Sequence, residues 1–520
     1  KNVDRHTSSP CVFPTSCALH MDLSEVSNGG CYIEVKGKHR LVSAQATEEG
    51  VLLTLRKKQS PEDASIDLSE ELLGPVRRSV CCCRKYGPPS AGTRLLPYED
   101  LLSATVRAEE EKAGFLVTLV HCPKPAGKPE GGRVRQDLKL SIVAESEELI
   151  EDLRQQVEGW ASHVTSRSLS DSCRSRTGPR KFLVMVNPSS GKGSAPALWN
   201  DARDLWDAMG NRLIEYHVVV TSYAGEALTY VKDQDIYRYD GIVIVSGDGL
   251  VHEVFNGLAA RSDRDQALQV PIGHLPGGSG NGLATSILKS CGESYGVLDA
   301  AFVIAKGEVQ PINLMYVHQP ERPPLVSFMT LSAAIISDID IESEKLRCMG
   351  GARFTAWALY RLMNLRPLRA KLEYWPAEAS SFPPLSPPAL DEALQEEAPW
   401  RCIEDDFSLF WGSNIPWASY DSCPAPMARM SDSIWNLVIL RRGASRVQLL
   451  QCLLGIETGS HTDVTNVEII PCRAFRLTPQ QSVGYLSLDG EQVPLAPIQV
   501  WPSGFSGRLL GAPIEASDVV

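Results

Sequence analysis

The sequence predicts an α/β fold organised around a doubly wound parallel sheet. Between residues 181 and 288, short apolar segments alternate with longer helical ones, which is typical of parallel strands buried on both faces. Three of these apolar segments end in loops that are rich in Gly, Ser or Asn. Strand-like segments without regularly alternating helices precede and follow this part of the chain. The prediction therefore adds a β-rich region at each end.

The composition is that of a globular chain with several domains. Its 520 residues suit roughly two to four domains, and a hydrophobic content of 43% is enough for complete cores. A net charge of −12 argues against a general nucleic-acid-binding protein, because such proteins need a broad basic surface. The 14 cysteines lack zinc-site spacing and favour a reducing, cytosolic setting. No apolar run reaches the roughly 18 residues that a membrane span needs.

Residues 1–163 carry strand-like segments followed by one amphipathic helix. The clearest segments are Cys31–Val35, Val51–Leu55 and Phe115–Val120. A helix is predicted over Glu147–Trp160. Its apolar face is formed by Leu149, Leu153, Val157 and Trp160. Several strands closed by one helix resemble a pleckstrin-homology-like module, and we predict a regulatory module of this kind.

A basic cluster around three cysteines lies inside this first region. Its members are Arg77, Arg78, Cys81, Cys82, Cys83, Arg84 and Lys85. Reversible acylation, or contact with an anionic membrane surface, would use such residues. A strand with buried cysteines between solvated charges accounts for the same pattern, and the sequence favours this second interpretation. Residues 164–180, rich in Ser and Arg and ending near Gly178-Pro179, are predicted to be a linker.

The central region is predicted to contain four strands, each followed by a helix. The strands are Phe182–Val186, Tyr216–Val220, Gly241–Val245 and Val270–Leu275. The helices are Pro196–Met209, Tyr223–Lys232, Val251–Ala260 and a fourth that ends near Leu288. Because parallel strands end at the same edge of a sheet, the loops that follow them should meet there.

The stretch Val243–Gly257 joins an apolar strand, a Gly-Asp-Gly turn and a helix start. It leaves one carboxylate, Asp248, at the carboxyl end of a predicted strand, where ligands bind in open parallel sheets. The flanking glycines allow the backbone to come close to a ligand. Asp-Gly is also a common turn pair, so the stretch alone leaves a functional and a purely structural role open.

Three glycine-rich loops follow strands in this region, at residues 187–194, 246–249 and 276–282. Their free backbone N–H groups, together with the positive end of the next helix, favour phosphate as the ligand. The first loop lacks the Walker A spacing, and no strand is followed by the G-x-G-x-x-G spacing of dinucleotide-binding proteins. Lys192 in the first loop is either a phosphate contact or a solvated lysine.

The loop sequences carry a family resemblance that extends from about residue 181 to 505. N-P-S-S-G-K-G, S-G-D-G-L-V-H-E-V-F-N-G-L and L-P-G-G-S-G-N-G-L-A resemble the loops of the diacylglycerol kinase catalytic superfamily. Within it, S-G-D-G-L-V-H-E and the acidic stretch D-I-D-I-E-S-E-K at Asp338–Lys345 are similar to the sphingosine kinases. Diacylglycerol and ceramide kinases share the loops but usually have G-G-D-G and lack the acidic stretch.

The resemblance implies a kinase that uses ATP and Mg²⁺ to phosphorylate the primary hydroxyl of a sphingoid base. Phosphoryl transfer to an alcohol needs a carboxylate on the hydroxyl and positive charge on the triphosphate. The alternatives are a ceramide or diacylglycerol kinase, and a catalytically silent lipid-binding protein of the same fold. The partners expected are the sphingoid base and, peripherally, a membrane surface, in a cytoplasmic protein.

The resemblance also assigns residues to roles. Asp248 is the catalytic base. The ATP-binding residues are Asn187, Pro188, Ser189, Gly191, Thr221, Ser222, Gly225, Gly247, Glu253, Gly278, Ser279, Gly280, Arg347, Arg353, Asp489, Gly490 and Glu491. The residues that bind the lipid substrate are Ser246, Gly247, Asp248, Gly249 and Asp340. No residue is assigned as a metal ligand.

Several of these residues have a structural alternative. Asp340 could be a helix N-cap rather than the partner of the sphingoid ammonium group. Arg347 and Arg353 could be surface residues, since they meet only if the chain bends at residues 349–351. The segment Leu488–Glu491 could be no more than a tight hairpin.

Beyond the central region, 181–311, the resemblance implies an antiparallel, β-sandwich-like domain at 312–510 that binds the lipid. The predicted strands are Leu372–Trp375, Phe407–Trp411, Ile434–Leu440 and Val483–Leu488. Residues 377–399, rich in Pro, Ala, Ser and Glu, are predicted to be a disordered surface insertion. An apolar pocket could use residues that serve equally well as plain core. They are Leu283, Ile287, Leu331, Ile335, Ile336, Phe354, Trp357, Leu359 and Leu362.

Overall fold

The chain divides into two compact units in a computed structural model. The structure describes residues 31–35, 38–55, 93–109, 114–124, 132–143, 150–174, 176, 178–210, 213–349, 352–384, 386–392, 394 and 398–511. The first unit contains residues up to Pro179 together with Asp204–Ile214 and Ala305–Gly307. The second unit contains the rest of the chain.

The first unit is built on an antiparallel sheet of seven strands. They are β1 (Cys31–Val35), β2 (Lys38–Ala46), β3 (Gly50–Leu55), β4 (Thr93–Pro97), β5 (Leu101–Glu109), β6 (Gly114–His121) and β7 (Gln136–Val143). The strand order is β4-β3-β2-β1-β7-β6-β5, and every neighbouring pair is antiparallel. Two helices follow, α1 (Ile150–Ser168) and the short α2 (Asp171–Arg174).

Helix α1 packs its apolar face against this sheet, as the sequence pattern predicts. Leu153, Val157 and Trp160 are buried in one cluster with strand residues such as Leu140 and Phe115. The strands and the closing helix are therefore present. The assignment to the pleckstrin-homology class stays a prediction. The basic cluster at residues 77–85 and the predicted helix residue Leu149 lie outside the described residues.

The predicted linker at residues 164–180 begins too early. Helix α1 continues to Ser168, because Val164 is fully buried in the same apolar cluster as Trp160. The side chain of Ser168 donates to the carbonyl of Val164 within the last turn. The first unit nevertheless ends at Pro179, at the predicted boundary, and the next strand begins at Arg180.

The second unit opens with the alternating strands and helices that the sequence predicts. The strands are β8 (Arg180–Val186), β9 (Ile214–Val220), β10 (Gly241–Ser246) and β11 (Ile272–Pro276). The helices are α3 (Ala195–Ala208), α4 (Glu226–Asp233), α5 (Asp248–Ala259), α6 (Arg264–Ala267), α7 (Gly282–Ser290) and α8 (Val297–Lys306). All six residues of β10 are buried, which explains their unbroken apolar sequence.

The strand order β11-β10-β8-β9 makes this sheet doubly wound. β10 pairs in parallel with β11 on one side and with β8 on the other. From β8 the chain goes outward to β9 and then returns to β10 on the opposite side, so the order reverses between β8 and β10. In open α/β sheets ligands bind at the carboxyl ends of the strands beside such a reversal.

The remainder of the second unit is mostly antiparallel. Its strands are β12 (Val309–His318), β13 (Leu325–Ser327), β14 (Thr330–Ala334), β15 (Leu368–Pro376), β16 (Arg401–Ser413), β17 (Trp435–Arg441), β18 (Val467–Pro479), β19 (Leu486–Leu488), β20 (Glu491–Val493) and β21 (Ile498–Leu510). Its helices are α9 (Ile335–Glu342), α10 (Ala352–Met363) and α11 (Arg446–Gly455), with a 3₁₀ helix over Ser343–Met349. The four strands predicted here all overlap observed strands.

The predicted boundary between residues 311 and 312 is not a boundary in the structure. It falls inside β12, which pairs along its length with β21. β21 also pairs in parallel with β11 at Ile272 and Leu509, and in antiparallel fashion with β18. One strand thus continues the parallel sheet into the antiparallel strands, and both predicted domains belong to one compact unit.

The prediction that residues 377–399 are disordered is wrong for the described part of this segment. Its carbonyls accept hydrogen bonds from side chains of β18 and β21: Arg476 donates to Ala389 and Glu392, and Gln499 donates to Pro388. A proline-rich segment has few N–H donors of its own, so its order comes from donors on the sheet.

Candidate functional site

The glycine-rich loops meet at the edge of the sheet where the strand order reverses. The first, residues 187–194, follows β8; the second, residues 246–249, follows β10; and the third, residues 277–281, follows β11. A Cβ atom added to Gly247 would lie 2.8 Å from the carbonyl oxygen of Gly280, and one added to Gly278 would overlap the backbone of Gly247. One added to Gly191 would overlap the carbonyl of Gly277. Only glycine lets the three loops come this close, as the sequence predicted.

The first loop has the backbone shape of an anion-binding turn. Gly191, Lys192 and Gly193 have φ values of 57°, 60° and 86° in succession. Asn187 begins the loop with a side-chain oxygen that accepts from the backbone N–H of Ser189, at 3.0 Å. Such turns and the helix start that follows at Ala195 favour anionic ligands. Lys192 is exposed in this loop, so its side chain is accessible to a phosphate.

Asp248 joins the second loop to the third. It is the first residue of α5, and its carboxylate accepts from the backbone N–H groups of Gly282, at 2.7 Å, and Leu283, at 3.1 Å. Only 5% of the residue is exposed. Burial raises the pKa of this carboxyl above the usual range, although a charge on His274 and the two N–H donors oppose the shift. The carboxylate is therefore more basic than that of an ordinary aspartate and sits where the loops converge.

Sequence reasoning missed His274, which lies in β11 beside Asp248. Its Nε2 is 3.0 Å from the carbonyl oxygen of Ser246, and its Nδ1 is 3.9 Å from Oδ1 of Asp248. The side chain is fully buried, and burial lowers the pKa of its imidazole. A single histidine inside an apolar strand gives no signal in the sequence, because such a residue is more often part of the core.

The loop after β9 is tied to helix α5 by Glu253. The backbone N–H of Gly225, a residue with a φ of 87°, donates to Oε1 of Glu253 at 2.9 Å. Thr221 lies at the carboxyl end of β9 and donates its backbone N–H to the carbonyl of Val186 at the end of β8. Ser222 donates its backbone N–H to Glu226. These predicted ATP-binding residues thus border the first loop at the same sheet edge.

The predicted hairpin at Leu488–Glu491 is present and places Glu491 close to the second loop. Asp489 and Gly490 have φ values of 50° and 86°, as a tight turn between paired strands requires. A Cβ atom at Gly249 would lie 2.9 Å from Oε1 of Glu491. Burial raises the pKa of the Glu491 carboxyl, and the nearby charges of Glu253 and Asp489 add to the shift while His252 opposes it.

The carboxylate of Asp489, a predicted ATP-binding residue, is engaged within the protein. The carboxylate is fully buried and accepts from the hydroxyl of Ser327 and from the backbone N–H groups of Met329 and Thr330, at 2.7 to 3.0 Å. It also lies 2.9 Å from Nδ1 of His252 on helix α5. Asp489 instead fixes the hairpin to β14 and to the helix that begins at Asp248.

The acidic stretch is divided between two faces of helix α9. Asp338 and Glu342, four residues apart, pair with Arg361 and Arg366. Asp340 lies on the opposite face, where its Oδ2 accepts from the hydroxyl of Ser487 at 3.1 Å. The helix N-cap is Ala334, so the alternative role of Asp340 as an N-cap is wrong.

Burial makes Asp340 an unusual carboxylate. Desolvation raises its pKa to about 6; the hydroxyl of Ser487 and the charge of Arg353 oppose this shift, while Glu344 and Glu491 add to it. The charge of Glu491 thus links the hairpin at Leu488–Glu491 electrostatically to Asp340. A buried carboxylate with one hydroxyl partner suits a ligand that brings its own positive charge.

Arg353 is not a surface residue. Only 7% of it is exposed, its guanidinium pairs with Glu344, and it lies over the ring of Phe354 at 4.4 Å. Arg347 lies in the 3₁₀ helix. The structure does not describe its side chain, nor does it describe Gly350 and Gly351. The predicted bend that would bring the two arginines together is therefore not described.

The residues predicted as candidates for an apolar pocket do not lie together in one cluster. Ile335, Ile336 and Leu362 belong to a buried cluster with Trp411 and residues of α11. Leu331 belongs to the core of the antiparallel strands, and Leu359 is 54% exposed on helix α10. Leu283 and Ile287 are buried in helix α7. Most of these residues are therefore core in this structure.

The chemical groups gathered at this sheet edge are backbone donors suited to phosphate and one buried carboxylate. Backbone N–H groups and the starts of α3, α5 and α7 supply positive potential, while Asp248 supplies a buried acceptor. Among the residues the structure describes, no three His, Cys, Asp or Glu side chains are arranged to hold a metal ion.

Comparison with known proteins defines the class of this site. Residues 181–317 match the family model described as the diacylglycerol kinase catalytic domain. This range contains the parallel sheet and all three glycine-rich loops. The α/β part of the chain therefore resembles a diacylglycerol kinase catalytic domain.

Full-length relatives narrow the class to a family. Sphingosine kinase 1 of Homo sapiens is 32% identical over 332 residues, which cover 60% of this chain and 86% of that protein. Sphingosine kinase 2 of Arabidopsis thaliana is 32% identical over 335 residues, or 60% of this chain and 69% of that protein. Sphingoid long chain base kinase 4 of Schizosaccharomyces pombe is 29% identical over 338 residues, or 62% and 72%. The chain belongs to the sphingosine kinase family.

Proposed function

We infer that this chain is a lipid kinase that transfers the γ-phosphate of ATP to the primary hydroxyl of sphingosine or a related sphingoid base. The product is sphingosine 1-phosphate or its analogue. The observation that carries this inference is the buried carboxylate of Asp248, held where three glycine-rich loops converge in a chain of this family.

ATP binding is assigned to the sheet edge at the strand reversal. The loops at 187–194, 246–249 and 277–281 would surround the phosphates with backbone N–H groups. Glu253 and Gly225 hold the neighbouring loop in place. Arg353 would leave its ion pair with Glu344 and bind the phosphates of ATP through its guanidinium group.

Asp248 is proposed to be the base of the reaction. The proton of the substrate hydroxyl passes to its carboxylate, the hydroxyl oxygen forms a bond to the γ-phosphorus, and the bond from that phosphorus to the leaving ADP oxygen breaks. Its raised pKa strengthens it as a proton acceptor. The backbone donors from Gly282 and Leu283 keep the carboxylate oriented while the proton moves.

Asp340 is proposed to select the substrate. A sphingoid base carries an ammonium group beside its hydroxyls, whereas a diacylglycerol has no charge and a ceramide has an amide. A buried carboxylate gains most from a ligand that neutralises it. Asp340 would therefore bind the ammonium group, with Ser487 holding its Oδ2.

Mg²⁺ is proposed to enter with ATP. The ion typically keeps several waters and needs only one or two protein carboxylates besides the phosphates. Glu491 is the carboxylate that would hold it, because it lies beside the second loop and Asp489 is already saturated. When bound, Mg²⁺ offsets the negative charge of the phosphates.

Peripheral contact with a membrane surface is proposed for helix α10. Leu359, Tyr360 and Met363 are 54%, 50% and 65% exposed on one side of this helix. Arg361 and Trp357 of the same helix bind Glu342 of α9, the helix that carries Asp340. No helix among the described residues is long and apolar enough to cross a membrane. A surface contact would bring the lipid near Asp340, and the cytoplasm remains the proposed location.

Vesicle sedimentation tests the membrane contact. A Leu359→Ser/Met363→Ser variant should bind vesicles of phosphatidylcholine and phosphatidylserine several-fold more weakly than the wild type. Val483→Ser, at a residue 58% exposed elsewhere, is the matched control and should bind normally. Equal binding by all three proteins would contradict the proposal.

A parallel substrate assay tests the activity. Purified full chain is supplied with γ-labelled ATP, Mg²⁺ and equal concentrations of sphingosine, ceramide or diacylglycerol in mixed micelles. We expect label in the sphingosine product at a rate at least about tenfold above the other two, since a charge-assisted contact contributes about 1.5 to 3 kcal/mol. Preference for ceramide or diacylglycerol would refute the substrate, and label in none of them would refute the kinase.

A further inference from the structure

His274 is a fully buried histidine whose Nδ1 has no hydrogen-bond partner among the residues that the structure describes. It lies in β11, opposite Ile244 of β10, so the sheet itself fixes its position. Buried polar atoms without partners are uncommon and call for a physical reason. The polar atom facing Nδ1 is Oδ1 of Asp248, at 3.9 Å, which is too far for a hydrogen bond.

The contact made by the other ring nitrogen, Nε2, determines which tautomer of His274 is present. Nε2 lies 3.0 Å from the carbonyl oxygen of Ser246, and a carbonyl oxygen can only accept. Nε2 therefore carries the proton and donates it to Ser246. In the neutral ring, Nδ1 then has a lone pair.

Burial favours the neutral form of His274. Burial lowers the pKa of its imidazole, and the opposing effects of Asp248 and of the Ser246 carbonyl do not overcome the burial. An uncharged ring cannot stabilise the ionised carboxylate of Asp248 as a counter-ion. In the resting enzyme two acceptors, Nδ1 and Oδ1, thus face each other without a proton between them.

We propose that His274 is a positioning residue for phosphoryl transfer, whose Nδ1 accepts a hydrogen bond from Asp248 once Asp248 has taken the proton of the substrate hydroxyl. This inference rests on the proposed function, in which Asp248 is the base. An approach of about 1 Å would bring Oδ1 and Nδ1 within hydrogen-bond distance.

The step balances without another reactant. The proton leaves the substrate oxygen and binds Oδ1 of Asp248, while the electron pair of the former O–H bond forms the new bond to phosphorus. The bond between phosphorus and the ADP oxygen breaks at the same time. The proton then lies between Oδ1 and Nδ1, and His274 stays neutral throughout.

Other groups that influence Asp248 do not replace His274. Gly282 and Leu283 donate to the ionised carboxylate and so favour loss of the proton, whereas the charge of Asp489 raises the pKa of Asp248. Asp489 is itself saturated by its own donors. Among these groups, His274 alone presents an acceptor that the protonated form of Asp248 could use.

Two variants separate the two ring nitrogens. His274→Gln keeps a donor near the position of Nε2, for the carbonyl of Ser246, but removes the acceptor at Nδ1. His274→Asn places an amide oxygen near the position of Nδ1 but loses the donor to Ser246. The pH dependence of kcat with sphingosine is measured for both and for the wild type, with ATP affinity and thermal unfolding as folding controls.

The proposal predicts opposite behaviour for the two variants. In His274→Gln the acid limb of the kcat profile should move to lower pH, because the protonated form of Asp248 loses its acceptor. Its kcat at pH 7.5 should fall about three- to tenfold, the effect of one lost hydrogen bond, with both KM values within about twofold. His274→Asn should keep the acid limb of the wild type.

Three results would overturn the inference while leaving the kinase intact. If the acid limb of the kcat profile did not shift in His274→Gln, His274 would be a packing residue. Equal shifts of this limb in both variants would point to the hydrogen bond with Ser246. A limb moved to higher pH would mean that His274 is a charged counter-ion. If Asp248→Asn kept wild-type turnover, the base assignment itself would fail, which is a separate outcome.

A measurement on the residue itself does not depend on the His274 variants folding. In ¹⁵N-histidine spectra of the full chain, one ring should remain the neutral Nε2–H tautomer between pH 6 and 8. In Asp248→Asn the new amide can donate to Nδ1, and the Nδ1 resonance of this ring should move upfield. A ring that titrates in this range, or no change in Asp248→Asn, would contradict the proposal.

Discussion

Two buried carboxylates with different surroundings define the chemistry at the scale of single residues. Asp248 is held by two backbone N–H groups at the loop junction, while Asp340 has one hydroxyl partner and a pKa of about 6. We propose that the first accepts the proton in the reaction and that the second binds the charged group of the substrate. Their division of roles leads to a test at Asp340.

The affinity for sphingosine should fall in acid because Asp340 must be ionised to bind an ammonium group. The KM for sphingosine should rise as the pH falls through about 6, whereas the KM for ATP should change little. Asp340→Asn should raise the KM for sphingosine about 10- to 100-fold, the value of a charge-assisted contact, and should abolish this pH dependence. Steady-state kinetics between pH 5 and 8 measure both effects, and equal changes in the two KM values would assign Asp340 a structural role.

The raised pKa of Asp340 affects the stability of the fold in the opposite direction, because acid weakens sphingosine binding but stabilises the folded chain. Because folding raises the pKa of Asp340 above its ordinary value of 3.8, the folded protein binds the proton more tightly than the unfolded chain. This contribution is complete below about pH 3.8 and is lost as the pH rises through about 6. The carboxylate is thus retained at neutral pH at a cost in stability, as is common for functional groups.

Motifs predicted some of these residues and not others. Asp248 follows from a strand, a Gly-Asp-Gly turn and a helix start, which are local features. His274 could not be found, since its role depends on a neighbouring strand and on loops 26 residues earlier in the chain. The donors to Asp489 lie some 160 residues earlier in the chain, at Met329 and at Thr330 of β14, so no local pattern reveals them.

At the scale of elements, the hairpin of β19 and β20 depends on one buried carboxylate. Asp489 accepts from Ser327, Met329 and Thr330 and pairs with His252 of helix α5. The hairpin also places Glu491 beside the second loop. Asp489 therefore couples helix α5 and the second loop to the antiparallel strands.

Replacing Asp489 with Asn should destabilise the chain strongly. The amide would turn an NH₂ group toward buried donors and leave His252 without its partner, so the free energy of unfolding should fall by about 3 kcal/mol. Glu491→Gln is the matched control in the same hairpin and should change stability by less than about 1 kcal/mol. Urea unfolding of the three proteins measures this, and equal stability would show that the buried contacts of Asp489 contribute little.

Elements with strong local signals were predicted well, and those that depend on distant partners were not. The strands β8 to β11 and their helices were found within a few residues from apolar runs and glycine-rich loops. The insertion at 377–399 looked disordered because its own composition offers no core. Donors on Arg476 and Gln499, 84 to 111 residues later, hold it instead, and no local pattern reveals them.

At the scale of the whole molecule, each unit is held together by contacts between distant segments. In the first unit Lys306 donates from its ammonium group to the carbonyls of Tyr98, Leu101 and Ser168, each at 2.7 Å. Burial lowers its pKa to about 7, and the charge of Arg133 lowers it further while nearby acids oppose the shift. One side chain thus joins three segments of this unit.

The first unit should become more stable as the pH rises above 7. Between about pH 7 and 10.5 the unfolded chain holds a proton on Lys306 that the folded chain has released, so stability should rise by about 1 kcal/mol per pH unit. Lys306→Met should lose this dependence, while Lys139→Met, at an exposed lysine of β7, should keep it. Hydrogen exchange at pH 7 and 9 measures the stability of the first unit in each protein. The same change in stability between the two pH values in all three proteins would contradict the prediction.

The largest error at this scale was the division of the second unit into two domains. Composition changes near residue 312, but β12 runs through that point and β21 pairs with strands on both sides of it. Pairing of the last strand with β11 joins residues more than 200 positions apart. Sequence periodicity describes single strands, whereas their order in the sheet is a property of the complete chain.

The central claim is that Asp248, held where three loops converge, takes the proton in phosphoryl transfer to a sphingoid base. The most direct test is single-turnover transfer of labelled γ-phosphate to sphingosine by the wild type and by Asp248→Asn, with folding and ATP binding shown to be equal. The wild type should form labelled product, and Asp248→Asn should do so about 10²- to 10⁴-fold more slowly, the usual contribution of a general base. Transfer by Asp248→Asn at the wild-type rate would contradict the claim.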